Sequence, residues 1–406
     1  MKKILCFIMV LCLSYGFSQS DKKVLFIGNS YTGANNLPLL ISELANDAGN
    51  GISTDQHIPG GSQLSQHAVN STVLNKIASE KWDFVVLQDQ SQKPSFEYDY
   101  VQNNVYPFAE ILVDSIYSND ECSTPLFYGT WGRQNGDPQW DSISTFQKMN
   151  TRLFNAYSHM ASEAEGMLSP VGIGFAHVYQ DPSGVVSFGD LYTGDGSHPT
   201  IKGSYLAACI FNNLIFETVS TGNNYLPNGM NTAEANYLQG VADHVVYDVD
   251  SVQVDFKPNL NNNDFNFTLV EETVSLTPNV VEGTFDYWDF GDGQISTQEN
   301  ATHTYLDNGT YELKMFTKAR CQSDSSTQQV VINTLNLLDE KIQSINVYPN
   351  PSEDGMLNIQ YQGKENFKVI SVLGEIVFSG NSNQIELKSG LYFIHFNEQV
   401  VKVVVK

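Results

Sequence analysis

From about residue 21 to residue 250, short apolar runs alternate with stretches whose apolar residues recur at helical spacing. The runs occupy residues 24–27, 52–58, 84–87, 125–130 and 171–176. A short run bounded by turn signals predicts a strand, and burial on both faces makes it continuously apolar. Between the first two runs, Leu37, Leu40, Ile41, Leu44, Ala45 and Ala48 recur as one helical face, and Gly49 and Gly51 stop it. The same spacing predicts helices around residues 105–117, 143–164 and 204–216. Strands alternating with helices predict an α/β fold: a parallel sheet covered on both faces, with its active site at the carboxyl ends of the strands.

The pattern changes after residue 250. Asn261, Asn262 and Asn263 punctuate a stretch rich in Thr, Val, Phe and Tyr, and short alternating segments predict an all-β sandwich over 251–335. Alternation resumes over 340–406, which reads as a second small β-sandwich. The α/β part then spans 19–250. Ahead of it, residues 1–18 read as a signal peptide. Lys2 and Lys3 precede an apolar run over 4–13 that is too short to span a bilayer, and Gly16 and Ser18 are small residues spaced for cleavage. No other segment approaches transmembrane length.

Composition narrows the function. The 406 residues are 41% hydrophobic and 16% charged, which is globular, and the formal charge of -24 argues against nucleic acid or an anionic membrane surface as partner. Cys6 and Cys12 leave with the signal peptide. Cys122, Cys209 and Cys321 remain, far apart and odd in number, and read as isolated thiols. No His, Cys or Asp cluster has metal-ligand spacing, and no phosphate-cradling glycine loop is present.

Two short segments carry chemistry. Residues 24–27 run directly into Gly28-Asn29-Ser30-Tyr31-Thr32 ahead of a helix. A serine at that turn is exposed at the sheet's carboxyl edge, although a helix N-cap serine looks the same in sequence. The second segment is Asp195-Gly196-Ser197-His198-Pro199. A nucleophilic serine needs an imidazole base, and the imidazole needs a carboxylate to fix its tautomer. An Asp three residues before a His can fold back onto Nδ1 within one loop.

Together these segments resemble the SGNH/GDSL hydrolase superfamily. Gly28-Asn29-Ser30 matches its nucleophile block, with Asn29 where many members have Asp. Gly60-Gly61 matches the glycine block, and residues 195–199 match the acid-base block. The resemblance implies a flavodoxin-like three-layer α/β/α hydrolase domain followed by two small all-β sandwich domains. It also implies ester hydrolysis without a cofactor, with Ser30 as nucleophile, His198 as base and Asp195 as its orienting acid. The N–H groups of Ser30 and Gly61 would line the oxyanion hole. Most members have Gly-x-Asn-Asp after the third strand, where this chain has Gln88-Asp89-Gln90-Ser91. By register Gln90 takes the place of the Asn that donates to the oxyanion, with Gln88 as the alternative. The sequence is similar to a bacterial subgroup that also carries Thr-Trp-Gly-Arg, here residues 130–133. There Trp131 either stacks on a sugar or packs in the core, and Arg133 is placed to hold a carboxylate. His57 and His67 flank the glycine block without a catalytic partner by spacing.

Further along, Trp288-Asp289-Phe290-Gly291-Asp292-Gly293 with His303-Thr304-Tyr305 resembles the PKD domain, an immunoglobulin-like module. Its Asp residues suit solvated turns better than a calcium site. Val347-Tyr348-Pro349-Asn350-Pro351, Gly390-Leu391-Tyr392-Phe393-Ile394 and the closing Lys402-Val403-Val404-Val405-Lys406 resemble the sorting domain of the type IX secretion system. This implies secretion or display at the cell surface, with the secretion machinery as a partner. Export, the spacer module and the fold's many deacetylases suggest O-acetyl groups of a polysaccharide as substrate. The alternatives are a lipase or short-chain esterase, or a non-catalytic glycan-binding protein on an esterase scaffold.

Overall fold

Val24, Leu25, Phe26 and Ile27 are all buried, and they form the middle of a sheet with two covered faces. The computed structural model describes residues 21–182, 184–249, 252–333, 345–361, 366–396 and 399–406, so the expected signal peptide lies outside the described residues. Strand β1 (Lys22–Ile27) leads through one helical turn, α1 (Ser30–Gly33), into α2 (Leu37–Asp47). Then come β2 (Ile52–His57), α3 (Leu64–His67), α4 (Ser71–Ser79), β3 (Phe84–Leu87), α5 (Tyr98–Asn104) and α6 (Tyr106–Asn119). Strand β4 (Thr124–Tyr128), α7 (Phe146–Glu163), β5 (Met167–Ser169), α8 (Val171–Gln180), α9 (Ile201–Phe216) and α10 (Thr232–Asp243) complete this part. The five strands are parallel in the order β2-β1-β3-β4-β5.

Alternate residues of β1 serve opposite layers, as the strand's period of two requires. Val24 and Phe26 join the cluster built by α2, α8, α9 and α10, while Leu25 and Ile27 join the one built by α4, α6 and α7. Helix α9 is buried from Gly203 to Phe216. Each Leu, Ile or Phe it hides contributes roughly 1.5–3 kcal/mol, so this helix anchors the loop that precedes it.

The sequence places a strand at 171–176, and the structure places α8 there instead. The fifth strand is the three-residue β5, ended by Pro170. Val171, Phe175 and Val178 are buried at i, i+4 and i+7, a helical stripe, and a short apolar run does not tell a buried helix from a buried strand. Gly172 lets the helix lie against the backbone after β4, since a Cβ there would sit 2.6 Å from the Thr130 carbonyl oxygen. The composition boundary at 250 also falls short of the packing boundary. Leu168 N–H donates to the Val254 carbonyl at 2.8 Å and Phe256 N–H donates to the Gly166 carbonyl at 2.9 Å. Val254 and Phe256 pack on opposite faces of the sheet.

Beyond this lie antiparallel sheets, as expected. Strands β6 (Asp264–Val270), β7 (Thr273–Asn279) and β10 (Ala301–Thr304) form one, and β8 (Thr284–Asp289), β9 (Ile295–Ser296), β11 (Gly309–Ala319) and β12 (Gln322–Ile332) form the other. Trp288 is fully buried and donates its Nε1–H to the Gln298 carbonyl at 3.0 Å. Asp289 and Asp292 close the turn after β8 by accepting from Gly291 and Gln294 N–H, and Asp292 also meets His303 Nε2 at 2.7 Å. Among the described residues no group of three or more His, Cys, Asp or Glu is arranged to hold a metal.

The last part has one sheet of β13 (Asn346–Tyr348), β14 (Met356–Gln360) and β17 (Gln384–Glu386). The other holds β15 (Phe367–Ser371), β16 (Ile376–Gly380), β18 (Gly390–Phe396) and β19 (Gln399–Val405). Leu357, Ile359, Phe367, Val369, Ile394 and Val403 form their shared core. No helix among the described residues is long and apolar enough to cross a membrane. Cys209 is buried in α9. Cys122 and Cys321, expected as isolated thiols, are exposed and line one small cavity.

Candidate active site

The turn after β1 is shaped by close approach. A Cβ on Gly28 would lie 2.6 Å from Thr32 Oγ1 and 2.7 Å from Gln88 Oε1, so a larger residue would displace both side chains. Asn29 follows at 2% exposure. Its Oδ1 caps α1 by accepting from Tyr31 N–H at 3.0 Å. Its Nδ2 donates to the Ser62 carbonyl at 2.9 Å and to the Asp89 carbonyl at 3.1 Å. A carboxylate, which only accepts, could not replace these two donors. The Gln88 side chain supports the same turn, its Oε1 accepting from Asn29 N–H at 2.9 Å and from the Thr32 hydroxyl at 3.0 Å. His67, 1% exposed, holds Gly28 O at 3.0 Å through Nε2. Burial pushes this histidine down to about 4, so it is neutral near pH 7 and serves the backbone rather than acid-base chemistry.

Ser30, half-buried at the start of α1, holds its Oγ 2.9 Å from His198 Nε2. His198 Nδ1 lies 2.6 Å from Asp195 Oδ2. The loop that brings them is closed by pairing of Tyr192 with Pro199, and Gly196 supplies a positive φ of 63°. Asp195 Oδ1 accepts from Ser197 N–H at 2.8 Å, His198 N–H at 2.9 Å and the Thr193 hydroxyl at 2.9 Å. Burial opposes ionisation of this carboxyl, but the bonds from His198 and the two backbone N–H groups outweigh it and hold Asp195 well below the usual carboxylate range.

An aromatic stack joins the two halves. Tyr31, next to Ser30, lies flat on Trp131 at 4.9 Å, and Trp131 lies flat on Phe175 at 4.2 Å. Tyr31 also meets the His198 ring edge-on at 5.3 Å. Its hydroxyl is 2.6 Å from Ser197 Oγ, and Trp131 Nε1 donates to the Ser197 carbonyl at 3.1 Å. Trp131 is therefore the core tryptophan of its two sequence readings. It is fully buried with both faces covered, and no sugar reaches it.

Arg133, expected to hold a substrate carboxylate, already holds a protein one: Nη1 donates to Asp137 Oδ2 at 2.8 Å, and the Gln92 amide donates to the same oxygen. The same loop carries Trp140, which is 51% exposed and packs on Phe96 with ring centroids 5.4 Å apart. The sequence reading did not single out Trp140, because nothing in the local pattern separates an exposed tryptophan from a buried one.

The glycine block forms a turn in which Ser62 N–H donates to the Pro59 carbonyl at 3.2 Å and Gly61 has φ 73°. Among the described residues neither Ser30 N–H nor Gly61 N–H has a protein acceptor. The two glutamines differ in kind. Gln88 is fully buried and committed to the Ser30 turn. Gln90 is half-buried. Its Oε1 accepts from Gln92 N–H at 2.9 Å and Lys93 N–H at 3.2 Å, which leaves Nε2 with one long contact to Ser91 Oγ at 3.4 Å. Between them Asp89, 1% exposed, accepts through Oδ1 from Leu64 N–H at 2.9 Å and from Gln90 N–H at 2.7 Å.

Residues 272–334 match the family model of the PKD domain, and residues 346–406 match that of the secretion system C-terminal sorting domain. The latter points to export by type IX secretion to the cell surface or beyond. No curated protein matches the chain. Among solved structures, a DUF4886 family protein from Bacteroides uniformis is similar at 22% identity and TM-score 0.48, over 58% of this chain and 98% of that one. A proposed SGNH hydrolase from Slackia heliotrinireducens is similar at 26% identity and TM-score 0.38, over 48% of this chain and 97% of that one. An acetyl xylan esterase from Geobacillus stearothermophilus is similar at 16% identity and TM-score 0.37, over 52% and 99%.

Burial pushes the Asp89 carboxyl up to about 6, against the two N–H bonds that favour its charge. A carboxyl whose folded value lies above its unfolded one weakens the fold as pH rises between the two, here from about 4 to about 6, and levels off above. At about 1.4 kcal/mol per pKa unit this is roughly 3 kcal/mol. Urea unfolding of wild type and Asp89→Asn at about pH 4 and about pH 7 should show that loss in wild type and its absence in the variant. Identical pH profiles would remove the charge from this role.

Proposed function

We propose that the chain is an exported serine esterase of the SGNH/GDSL type that removes O-acetyl groups from a neutral polysaccharide. One observation carries the reading: Ser30 Oγ lies 2.9 Å from His198 Nε2 while His198 Nδ1 lies 2.6 Å from Asp195. In this mechanism Ser30 Oγ attacks the ester carbonyl and His198 takes its proton. Asp195 holds Nδ1–H and stabilises the imidazolium. The oxyanion is met by Ser30 N–H, Gly61 N–H and Gln90 Nε2. His198 returns the proton to the departing alcohol, and water repeats the sequence on the acyl-serine.

The surroundings favour a short acyl group on a large polar alcohol. His198 and Asp195 side chains are 38% and 50% exposed, so a bulky alcohol can approach. Nothing lies within 4 Å of a Cβ built on Gly60 or Gly61. Ser62 and Ser197 make the nearby rim polar. With a net charge of -24, a neutral glycan such as xylan suits the chain better than a polyanion. The PKD module and the sorting domain fit a protein that works outside the cell.

Ser30→Ala should abolish hydrolysis of a chromogenic acetate ester, a loss on the order of 10⁶-fold in kcat, with the melting curve unchanged. A serine-directed organophosphate should label Ser30 in wild type. A variant that keeps near-full turnover would end the assignment.

The two glutamines should separate by readout. Gln90→Ala is expected to lower kcat about 10²–10³-fold with little change in KM or Tm, as loss of one oxyanion donor does. Gln88→Ala should instead destabilise by roughly 2–4 kcal/mol, since it leaves a cavity and orphans Asn29 N–H. Steady-state kinetics paired with thermal melts decide this, and a stable Gln88 variant with the larger kcat loss would reverse the roles.

The loops after β3 and β4 are tied together through Asp137, and Trp140 N–H donates to the Asp137 carbonyl at 3.2 Å. We assign Trp140 as the sugar-stacking surface. Trp140→Ala should raise KM for acetate release from acetylated xylan about tenfold, in line with the one or two kcal/mol of a lost aromatic contact, and leave turnover of a small acetate ester intact. Equal effects on both substrates would refute it.

A further inference from the structure

Cys122 lies in the loop between α6 and β4, and Cys321 lies in the turn between β11 and β12. They come from the α/β layer and from the β-sandwich, within one compact unit. The turn is pinned where it meets the layer. Arg320, at a left-handed φ of 49°, places its guanidinium 3.5 Å above the Tyr117 ring and its Nε 3.2 Å from Glu165 Oε2. That fixes the residue next to Cys321 against the helix that leads to Cys122. The two cysteines line one cavity of about 150 Å³ with Tyr117, Glu121 and Arg320, which sets both thiols in one pocket.

We infer that Cys122 and Cys321 form a disulfide in the exported protein, which fastens the β-sandwich to the α/β layer. The compartment that a sorted chain reaches is oxidising, and both thiols are exposed to an oxidant. The oxidant is a disulfide, supplied by an exported thiol–disulfide oxidoreductase or by a small molecule of the same class. A thiolate of one cysteine attacks the donor disulfide, forms a mixed disulfide and releases one donor thiolate. The second cysteine, deprotonated, attacks the first cysteine's sulfur and expels the other donor sulfur as a thiolate. The pair gives up two electrons and two protons, and the donor becomes two thiols. The neighbouring Cys321 thiol, burial and the nearby acidic groups push the Cys122 thiol up to about 11. Little thiolate is present at neutral pH, so formation leans on a catalyst. An external thiolate attacking the finished bond at Cys321 would have to expel the basic Cys122 sulfur, a poor leaving group, which slows reduction.

The full chain, collected after export, is alkylated without reductant, digested with trypsin and mapped by mass spectrometry. The peptide bearing Cys122 should be recovered joined to the peptide bearing Cys321, and dithiothreitol should separate them. In Cys122→Ser secreted the same way, Cys321 should become alkylated without reduction. Dithiothreitol should lower the melting midpoint of wild type by several degrees and leave that of Cys122→Ser unchanged. Direct alkylation of both cysteines in wild type, a bond from either to Cys209 or to a second chain, or a Cys321 still protected in the variant would each overturn the bridge. A wild-type midpoint indifferent to reduction would overturn its fastening role.

Discussion

The Asn29 amide uses every one of its bonding groups, and three loops are positioned by the result. Its oxygen caps the single helical turn that begins at Ser30. Its two N–H groups reach the carbonyls of Ser62, in the loop after β2, and of Asp89, in the loop after β3. Those loops carry Gly61 and Gln90. A buried side chain whose donors and acceptor are all satisfied has little freedom to move, because each lost bond would leave a buried polar group unpaired. Gln88 and His67 repeat the arrangement from below, binding Asn29 N–H and the Gly28 carbonyl. The backbone N–H groups of Ser30 and Gly61 are thus held in place by the Asn29, Gln88 and His67 side chains.

The loop of Asp195 and His198 is held by a different kind of force. It lies 168 residues along the chain from Ser30 and shares no strand with it. Apolar stacking positions it: Tyr31 on Trp131 on Phe175, with Ser197 bonded to both Tyr31 and Trp131. The neighbours of Ser30 and His198 in the chain therefore touch each other. Buried charge is distributed unevenly across the site. Asp195, ringed by donors and half-exposed, stays ionised, whereas Asp89 is enclosed and drawn toward its neutral form.

The sequence by itself determined the parallel α/β layer, the two β modules that follow it, and the three residues Ser30, Asp195 and His198 that the fold brings together. The layer and the modules follow from local properties, hydrophobic period and turn chemistry, whereas the three residues were reached through resemblance to family blocks, with Asp195 and His198 in one short segment. It did not separate β5 from α8, because Val171, Phe175 and Val178 satisfy both a short apolar run and a helical stripe, and only packing against α9 distinguishes them. Tertiary structure alone decided that Gln88 supports while Gln90 is left with a free donor, that Trp131 is core and Trp140 is surface, and that Arg133 is already paired. It also brought Cys122 beside Cys321. Each of these depends on which distant residue fills the space beside a side chain, and that is set by how the layers pack, which no local pattern encodes.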